Sequence, residues 1–158
     1  MAGVNSDIVA CWCSCYERFK DQPKKIVRDL NITGVGAISV DQACQSIYDY
    51  MIKHTRYKLD TDGEQLIKSP GRFIADGCGD CKSYTMFIAS CLHCLGIPCI
   101  VRFVNFDGGD QYTHVYPVAI DENGNEIVMD ACELNEQGIP YYDYARPYAK
   151  KKDIVYNG

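Results

Sequence analysis

The stretch "GCGDCKSYTMF", residues 77–87, places two glycines, an aspartate and a cysteine directly before a long apolar run. Asp80 is a suitable N-cap for a helix that begins at Cys81, and Gly96 is a suitable C-terminal stop. The positions between them are apolar on almost every side, which predicts a buried central helix from Cys81 to Leu95. A cysteine in the first turn of such a helix gains from the macrodipole, which favours the thiolate over the thiol.

The segments around this helix alternate from helical to β-rich patterns. Apolar residues at helical spacing predict a helix in residues 6–20, and Ser39 with Gln42 has the spacing of a capping box that opens a second amphipathic helix. Three β-rich runs follow the central helix and predict consecutive antiparallel strands; they are residues 97–106, 111–120 and 125–130. We therefore expect an α+β fold.

The length of 158 residues suits one domain with a substantial core. We predict a single domain over residues 1–158, with a helical extension at 1–38 and the core at 40–132. The remainder, residues 133–158, is rich in tyrosine and is predicted to run over the surface as a tail.

Composition excludes several classes of function. A formal net charge of −5 without a basic stripe argues against nucleic acid, and the short run "KKKD" at 150–153 is typical of a solvated face. The most apolar stretch, residues 86–101, is too short and too interrupted to cross a membrane. The first residues do not resemble a secretory signal, so we expect the ten cysteines to be reduced and mostly buried, in the cytoplasm or in a particle assembled there.

A nucleophilic thiolate at Cys81 would need an imidazole partner, and the chain has three histidines. His93 lies about 18 Å further along the same predicted helix, out of reach. His54 ends the preceding helix, where a cation complementing the helix dipole is a sufficient explanation. His114 remains, in the middle of a predicted strand, where a polar side chain requires a partner.

The turn "DENG" determines which acidic residue shares a face with His114. A two-residue Asn-Gly loop would pair His114 with Glu133 and direct Asp130 to the opposite face. Asp121 and Gly124 instead suit the first and fourth positions of a type I turn with a left-handed glycine bulge. In that register Asp130 is a diagonal neighbour of His114, with α-carbons roughly 7–8 Å apart. We predict the bulged loop, which allows a Cys–His–Asp relay.

Metal binding is the alternative explanation for the cysteines. Cys78, Cys81, Cys91 and Cys94 form two CxxC pairs, but about 15 Å of helical rise separates Cys81 from Cys91, so the pairs could not enclose one ion. In "CWCSC", residues 11–15, the middle cysteine points away from the outer two on a helix. We predict no metal site and no cofactor.

Three segments together resemble the transglutaminase-like superfamily of papain-type thiol enzymes. They are "SPGRFIADGCGDCKSYTMFIASCLHCLGIPCIVRF" at 69–103, "THVYPV" at 113–118 and "IVMDA" at 127–131. The resemblance covers roughly residues 40–132 and implies a papain/transglutaminase-like core, with the cysteine helix packed on an antiparallel sheet. Cys81, His114 and Asp130 fall on the catalytic positions of the family.

The resemblance also implies a function. It is that of a cysteine-dependent acyl-transfer enzyme, of protease, amidase or transglutaminase type, acting on protein or peptide amides through a thioester. The backbone N–H of Cys81 is the natural first oxyanion donor, and Gln65 and Gln111 are candidates for the second. The alternative is a non-catalytic structural or interaction module, a subunit of a larger assembly such as a phage virion, that keeps the fold for docking.

Overall fold

The computed structural model describes residues 6–30, 39–59 and 67–157 of the chain. Its helices are α1 (Ser6–Phe19), α2 (Lys24–Asp29), α3 (Val40–His54), α4 (Pro70–Asp76) and α5 (Cys81–Cys94). Its strands are β1 (Arg56–Tyr57), β2 (Cys78–Gly79), β3 (Cys99–Asn105), β4 (His114–Ile120), β5 (Glu126–Val128) and β6 (Lys150–Tyr156). Within the described residues, no helix combines the length and the apolar character needed to cross a membrane.

Helix α5 forms the centre of the molecule, as its sequence predicts. The Asp80 carboxylate caps it by accepting the backbone N–H groups of Lys82, at 3.0 Å, and Ser83, at 3.4 Å. The helix ends at Cys94, and Gly96 follows with a left-handed φ of 71°. Every residue from Cys81 to Leu92 is buried, so the helix has no solvated face over this length.

The sheet on which α5 packs is antiparallel and has the strand order β5-β4-β3-β6. Side chains from one face of β3 and β4 join the core beneath the helix, among them Val101, Phe103, Val115 and Ala119. A separate two-stranded parallel pair, β1 with β2, leads directly into the start of α5. The predicted α+β fold, with the cysteine helix on an antiparallel sheet, is confirmed.

The β4–β5 hairpin has the predicted bulged register. The N–H of Asp121 donates to the carbonyl of Asn125 at 2.9 Å, and the N–H of Gly124 donates to the carbonyl of Asp121 at 3.0 Å. Gly124 has a φ of 80°, the left-handed conformation that the turn requires. The same register continues past β5, where the N–H of Met129 donates to the carbonyl of Pro117 at 2.9 Å. Asp130 therefore follows at the position that the turn residues predict.

The tail differs from the prediction, because residues 150–156 form strand β6 rather than a surface wrap. This strand pairs with β3 over its whole length, and the buried guanidinium of Arg102 binds Asp153 at 2.9 Å. Arg102 also binds Glu126 of β5 at 3.1 Å, so one side chain joins three strands. Backbone pairing needs no apolar alternation, which explains why a lysine-rich segment can complete a sheet edge. The run 150–152 is exposed, in agreement with the solvated face predicted for it.

Helix α1 packs against α5 although it precedes the predicted core. Trp12 is fully buried, Tyr16 is almost so, and the indole N–H of Trp12 donates to the carbonyl of Lys82 at 3.1 Å. The N-terminal helix is thus in direct contact with the first turn of α5, where Cys81 lies.

Candidate active site

His114 and Asp130 lie side by side in the structure. The Nε2–H of His114 donates to Oδ2 of Asp130 at 2.7 Å, and the other carboxylate oxygen accepts the N–H of Cys132 at 3.1 Å. The Asp130 side chain is 1% exposed, so both of these bonds lie out of water. The prediction placed His114 in the middle of a strand, whereas the structure has it as the first residue of β4.

The Cys81 thiol is hydrogen-bonded to the same imidazole. Because Asp130 occupies Nε2, Nδ1 is the ring nitrogen left for the thiol. Burial lowers the pKa of His114, but the hydrogen bonds with Asp130 and with Cys81 outweigh burial and raise this pKa to about 10. The imidazole is therefore cationic at neutral pH and places a positive charge beside the Cys81 sulfur.

The start of α5 is held in place by tight local packing. Cys81 is its first residue, and Asp80 accepts the next two backbone N–H groups as the cap. The ammonium group of Lys82 forms an ion pair with the Asp80 carboxylate, and both side chains are nearly fully buried. A β-carbon on Gly79 would lie 2.8 Å from that of Ser83, so only glycine fits where β2 meets the helix.

Cys81 itself has no exposed surface. Tyr57 and Cys132 lie beside it: burial raises the pKa of each, and the charge of Cys81 raises it further. Tyr57 also lines a cavity of about 150 Å³ together with Tyr84 and Ala131. A substrate can reach the sulfur only if side chains over it move aside.

The other predicted candidates lie elsewhere. His54 ends α3, as expected, and its ring centre lies 4.4 Å from that of Tyr50, with the two rings tilted by 38°. His93, near the end of α5, donates its Nε2–H to Oδ1 of Asp21 at 3.2 Å. Gln111 is exposed, and Gln65 lies outside the described residues.

The cysteine pairs do not converge, because α5 is a continuous helix from Cys81 to Cys94. On α1, the Cys11 and Cys15 thiols are hydrogen-bonded to each other, whereas Cys13 bonds to Tyr156, in keeping with their predicted faces. All ten cysteines are free thiols.

Sequence reasoning treated Asp130 and Glu133 as mutually exclusive neighbours of His114, and this was wrong. A side-chain atom of each of the three residues lies within 4.8 Å of the other two. The alternation of a strand no longer applies beyond Val128, where β5 ends and a turn at 131–132 brings Glu133 back towards the imidazole. The buried Asp80–Lys82 pair was also missed, although two charges at the start of an apolar helix were a signal.

Comparison with known proteins agrees with this architecture. The family model described as "Transglutaminase-like superfamily" matches residues 31–131. A solved structure from Cytophaga hutchinsonii, proposed to be a cysteine protease, has 15% identity and a TM-score of 0.53, over 87% of this chain and 51% of its own. Another from Parabacteroides distasonis, proposed to be a protease, has 13% identity and a TM-score of 0.62, over 77% of this chain and 26% of its own. At these identities the two structures show a shared fold.

The chain thus spans about half of the first of these proteins and about a quarter of the second. No curated protein sequence matches it.

Proposed function

Because this chain belongs to the transglutaminase-like superfamily, we propose that it is a cysteine-dependent acyl-transfer enzyme acting on protein or peptide amides. One observation carries the proposal: a single buried imidazole, that of His114, binds Asp130 at 2.7 Å and also bonds to the Cys81 thiol. In such an arrangement the carboxylate fixes the ring, and the ring moves a proton between the sulfur and the substrate.

The first half of the reaction cleaves the amide. The Cys81 thiolate attacks the carbonyl carbon, and the charge of the thiolate passes to the carbonyl oxygen. The His114 imidazolium gives its proton to the leaving nitrogen, the C–N bond breaks, and an amine departs. The acyl group remains on the sulfur as a thioester, and His114 is left neutral.

The second half returns the enzyme to its starting state. Neutral His114 accepts a proton from water or from an acceptor amine, whose oxygen or nitrogen attacks the thioester carbonyl. The C–S bond breaks and the sulfur leaves as the thiolate. Water gives hydrolysis and an amine gives a new amide, and both follow from the same residues.

The oxyanion formed in each half needs hydrogen-bond donors. The backbone N–H of Cys81 is the first donor that we propose, because Asp80 takes the N–H groups of the next two residues and not that of Cys81. The N-terminus of α5 adds a favourable dipole at the same point. Gln111 is exposed, which gives it no support as the second donor.

The test uses a broad pool of substrates, because the amide is not identified. We would incubate the reduced protein with a denatured proteome and a fluorescent primary amine, then read new peptide termini and amine adducts by mass spectrometry. We expect one of these products to form with the wild type and to be absent with Cys81→Ser. Product formation that survives Cys81→Ser would contradict the proposal.

The non-catalytic alternative also has one supporting observation, the complete burial of Cys81. A docking subunit of a larger assembly, such as a phage particle, would never need to open this site. Iodoacetamide at neutral pH distinguishes the two, with Cys91 as the reference because it is equally buried. An enzyme should be alkylated at Cys81 well before Cys91, whereas a closed docking module should leave both unreacted.

A further inference from the structure

We propose that His114, Asp130 and Glu133 bind a divalent transition-metal ion, best matched by Zn²⁺, and that the bound ion switches off the Cys81–His114 pair. Metal binding is independent of the proposed function, whereas the switch rests on it.

The geometry of these three side chains suits an ion. One ligand atom from each lies within 4.8 Å of the others. Zinc ligands at roughly 2.0–2.2 Å from the metal lie about 3–4 Å from one another. Small side-chain rotations would bring the three ligand atoms to such distances. Nε2 of His114 and Oδ2 of Asp130 are 2.7 Å apart, so this pair must separate slightly as the ion takes the place of the proton between them, and Glu133 must turn towards them.

The chemical type of the three metal ligands determines which class of ion can bind. One imidazole and two carboxylates match the nitrogen and oxygen ligands that zinc accepts, and three protein ligands leave a fourth position for water. Calcium and magnesium prefer six or more oxygen ligands in total and have little use for an imidazole. Zn²⁺ should therefore bind and Mg²⁺ should not.

Burial and charge favour occupancy. His114 and Asp130 are buried, whereas Glu133 is only partly buried and provides a route from solvent. Zn²⁺ must displace the Nε2 proton of His114 to bind, and in exchange two positive charges face the two carboxylates where the imidazolium supplies one. Asp130 alone is enough to orient the ring, so the second carboxylate is not needed for the relay.

An ion in this position would stop the chemistry by occupying a ring nitrogen. Nε2 faces Asp130, so metal binding there replaces the Nε2–H that donates to the carboxylate. The remaining ring proton then stays on Nδ1, facing the sulfur, and its transfer to a leaving amine would leave an imidazolate, so the ring no longer acts as a general acid. Metal removal by a chelator restores the proton and the activity.

The experiment compares Glu133→Gln with Glu136→Gln, a matched exposed control three residues away. We would titrate the full chain with ZnCl₂ by calorimetry, in a reductant that does not bind metal. We expect one site in the wild type and in Glu136→Gln, weakened by about 10–100-fold in Glu133→Gln. Equal affinity in Glu133→Gln and the wild type, or no zinc binding at all, would overturn the proposal.

Free thiols elsewhere could also take up zinc, so Co²⁺ serves as a spectroscopic probe. The site that Glu133→Gln weakens should show visible bands without the intense near-ultraviolet absorption of a cobalt–thiolate bond. Thiolate absorption that disappears in Glu133→Gln would place a cysteine among the ligands and contradict the assignment.

The switch is tested separately, in the turnover assay. Zn²⁺ should inhibit the wild type and Glu136→Gln equally, while Glu133→Gln, with each rate taken relative to that variant's own metal-free rate, needs about 10–100-fold more zinc for inhibition. If Glu133→Gln is inhibited at the same zinc concentration as the wild type, the proposed switch is contradicted. If no activity exists, the calorimetric result still decides the metal site.

Discussion

Cys81 and Cys91 lie on the same helix, α5, and neither has any exposed surface. Burial raises the pKa of Cys91 well above its ordinary value, which describes an inert thiol in an apolar core. Cys81 shares the burial but begins the helix and is hydrogen-bonded to the cationic imidazole of His114. The comparison teaches that a thiol's surroundings, rather than its exposure, separate a candidate nucleophile from a packing residue.

The surroundings of Cys81 come from separate parts of the chain. Asp80 caps the helix, the start of β4 supplies His114, and the bulged hairpin sets the position of Asp130. At Cys91 the titratable groups nearby are the Cys94 thiol and the Tyr50 phenol, and neither of them is cationic. Each prediction below changes one residue of the surroundings of Cys81 and uses the far end of α5 or another distant position as its control.

The largest effect should come from exchanging the two cysteines for alanine in turn. Cys81→Ala removes the proposed nucleophile and should lower turnover by about 10⁴-fold or more, and because Cys81 is as buried as Cys91 it should cost a similar amount of stability. Cys91→Ala leaves a small cavity, costs about 1 kcal/mol of stability and keeps turnover within a few-fold. Turnover measured beside thermal melting checks both. Equal loss of activity in the two variants would mean that α5 is only a scaffold.

A smaller effect is expected from Asp130→Asn. The amide keeps the size of the side chain but no longer fixes the charged ring, so turnover should fall by about 10²–10⁴-fold while the fold remains. Asp153→Asn is the control, since that carboxylate lies on β6 and its hydrogen bonds, to Arg102 of β3 and to Lys151, do not involve His114. Full activity in Asp130→Asn would show that the 2.7 Å bond has no catalytic role.

The smallest effect should follow from Gly124→Ala in the hairpin. Gly124 has a φ of 80° and Gly96 a φ of 71°, so alanine at either position should cost about 1 kcal/mol in the free energy of unfolding. Only the hairpin variant should lower turnover, by a few-fold, because it shifts Asp130 relative to His114. Chemical denaturation and the turnover assay provide the two readings, and an equal loss of turnover in Gly96→Ala would contradict this assignment.

Local signals made much of this arrangement predictable. Asp80 and Gly96 predict the two ends of α5, because helix capping depends on residues next to those ends in sequence. Asp121 and Gly124 set the hairpin register, and that register fixed which acidic residue binds His114. In these places the local sequence and the tertiary structure favour the same conformation.

The features that could not be predicted depend on contacts between residues that are far apart in sequence. Strand β6 carries lysines instead of an apolar pattern, and its pairing with β3 and Arg102 could not be seen locally. The approach of Glu133 to His114 follows from a turn after the strand, where alternation gives no guidance. The burial of Cys81 likewise depends on a core that is assembled from segments distant in sequence.

The most direct test of the central claim is an NMR titration of the His114 imidazole nitrogens. The pKa of His114 is raised from an ordinary 6.5 to about 10, so folding favours the protonated ring. The stabilisation this gives is complete below about pH 6.5 and is lost as the pH rises through about 10. We predict a charged imidazole at pH 7 in the wild type, losing its proton near pH 10, and a clearly lower pKa in Asp130→Asn. A wild-type ring that is neutral at pH 7 and titrates near 6.5 would contradict the account.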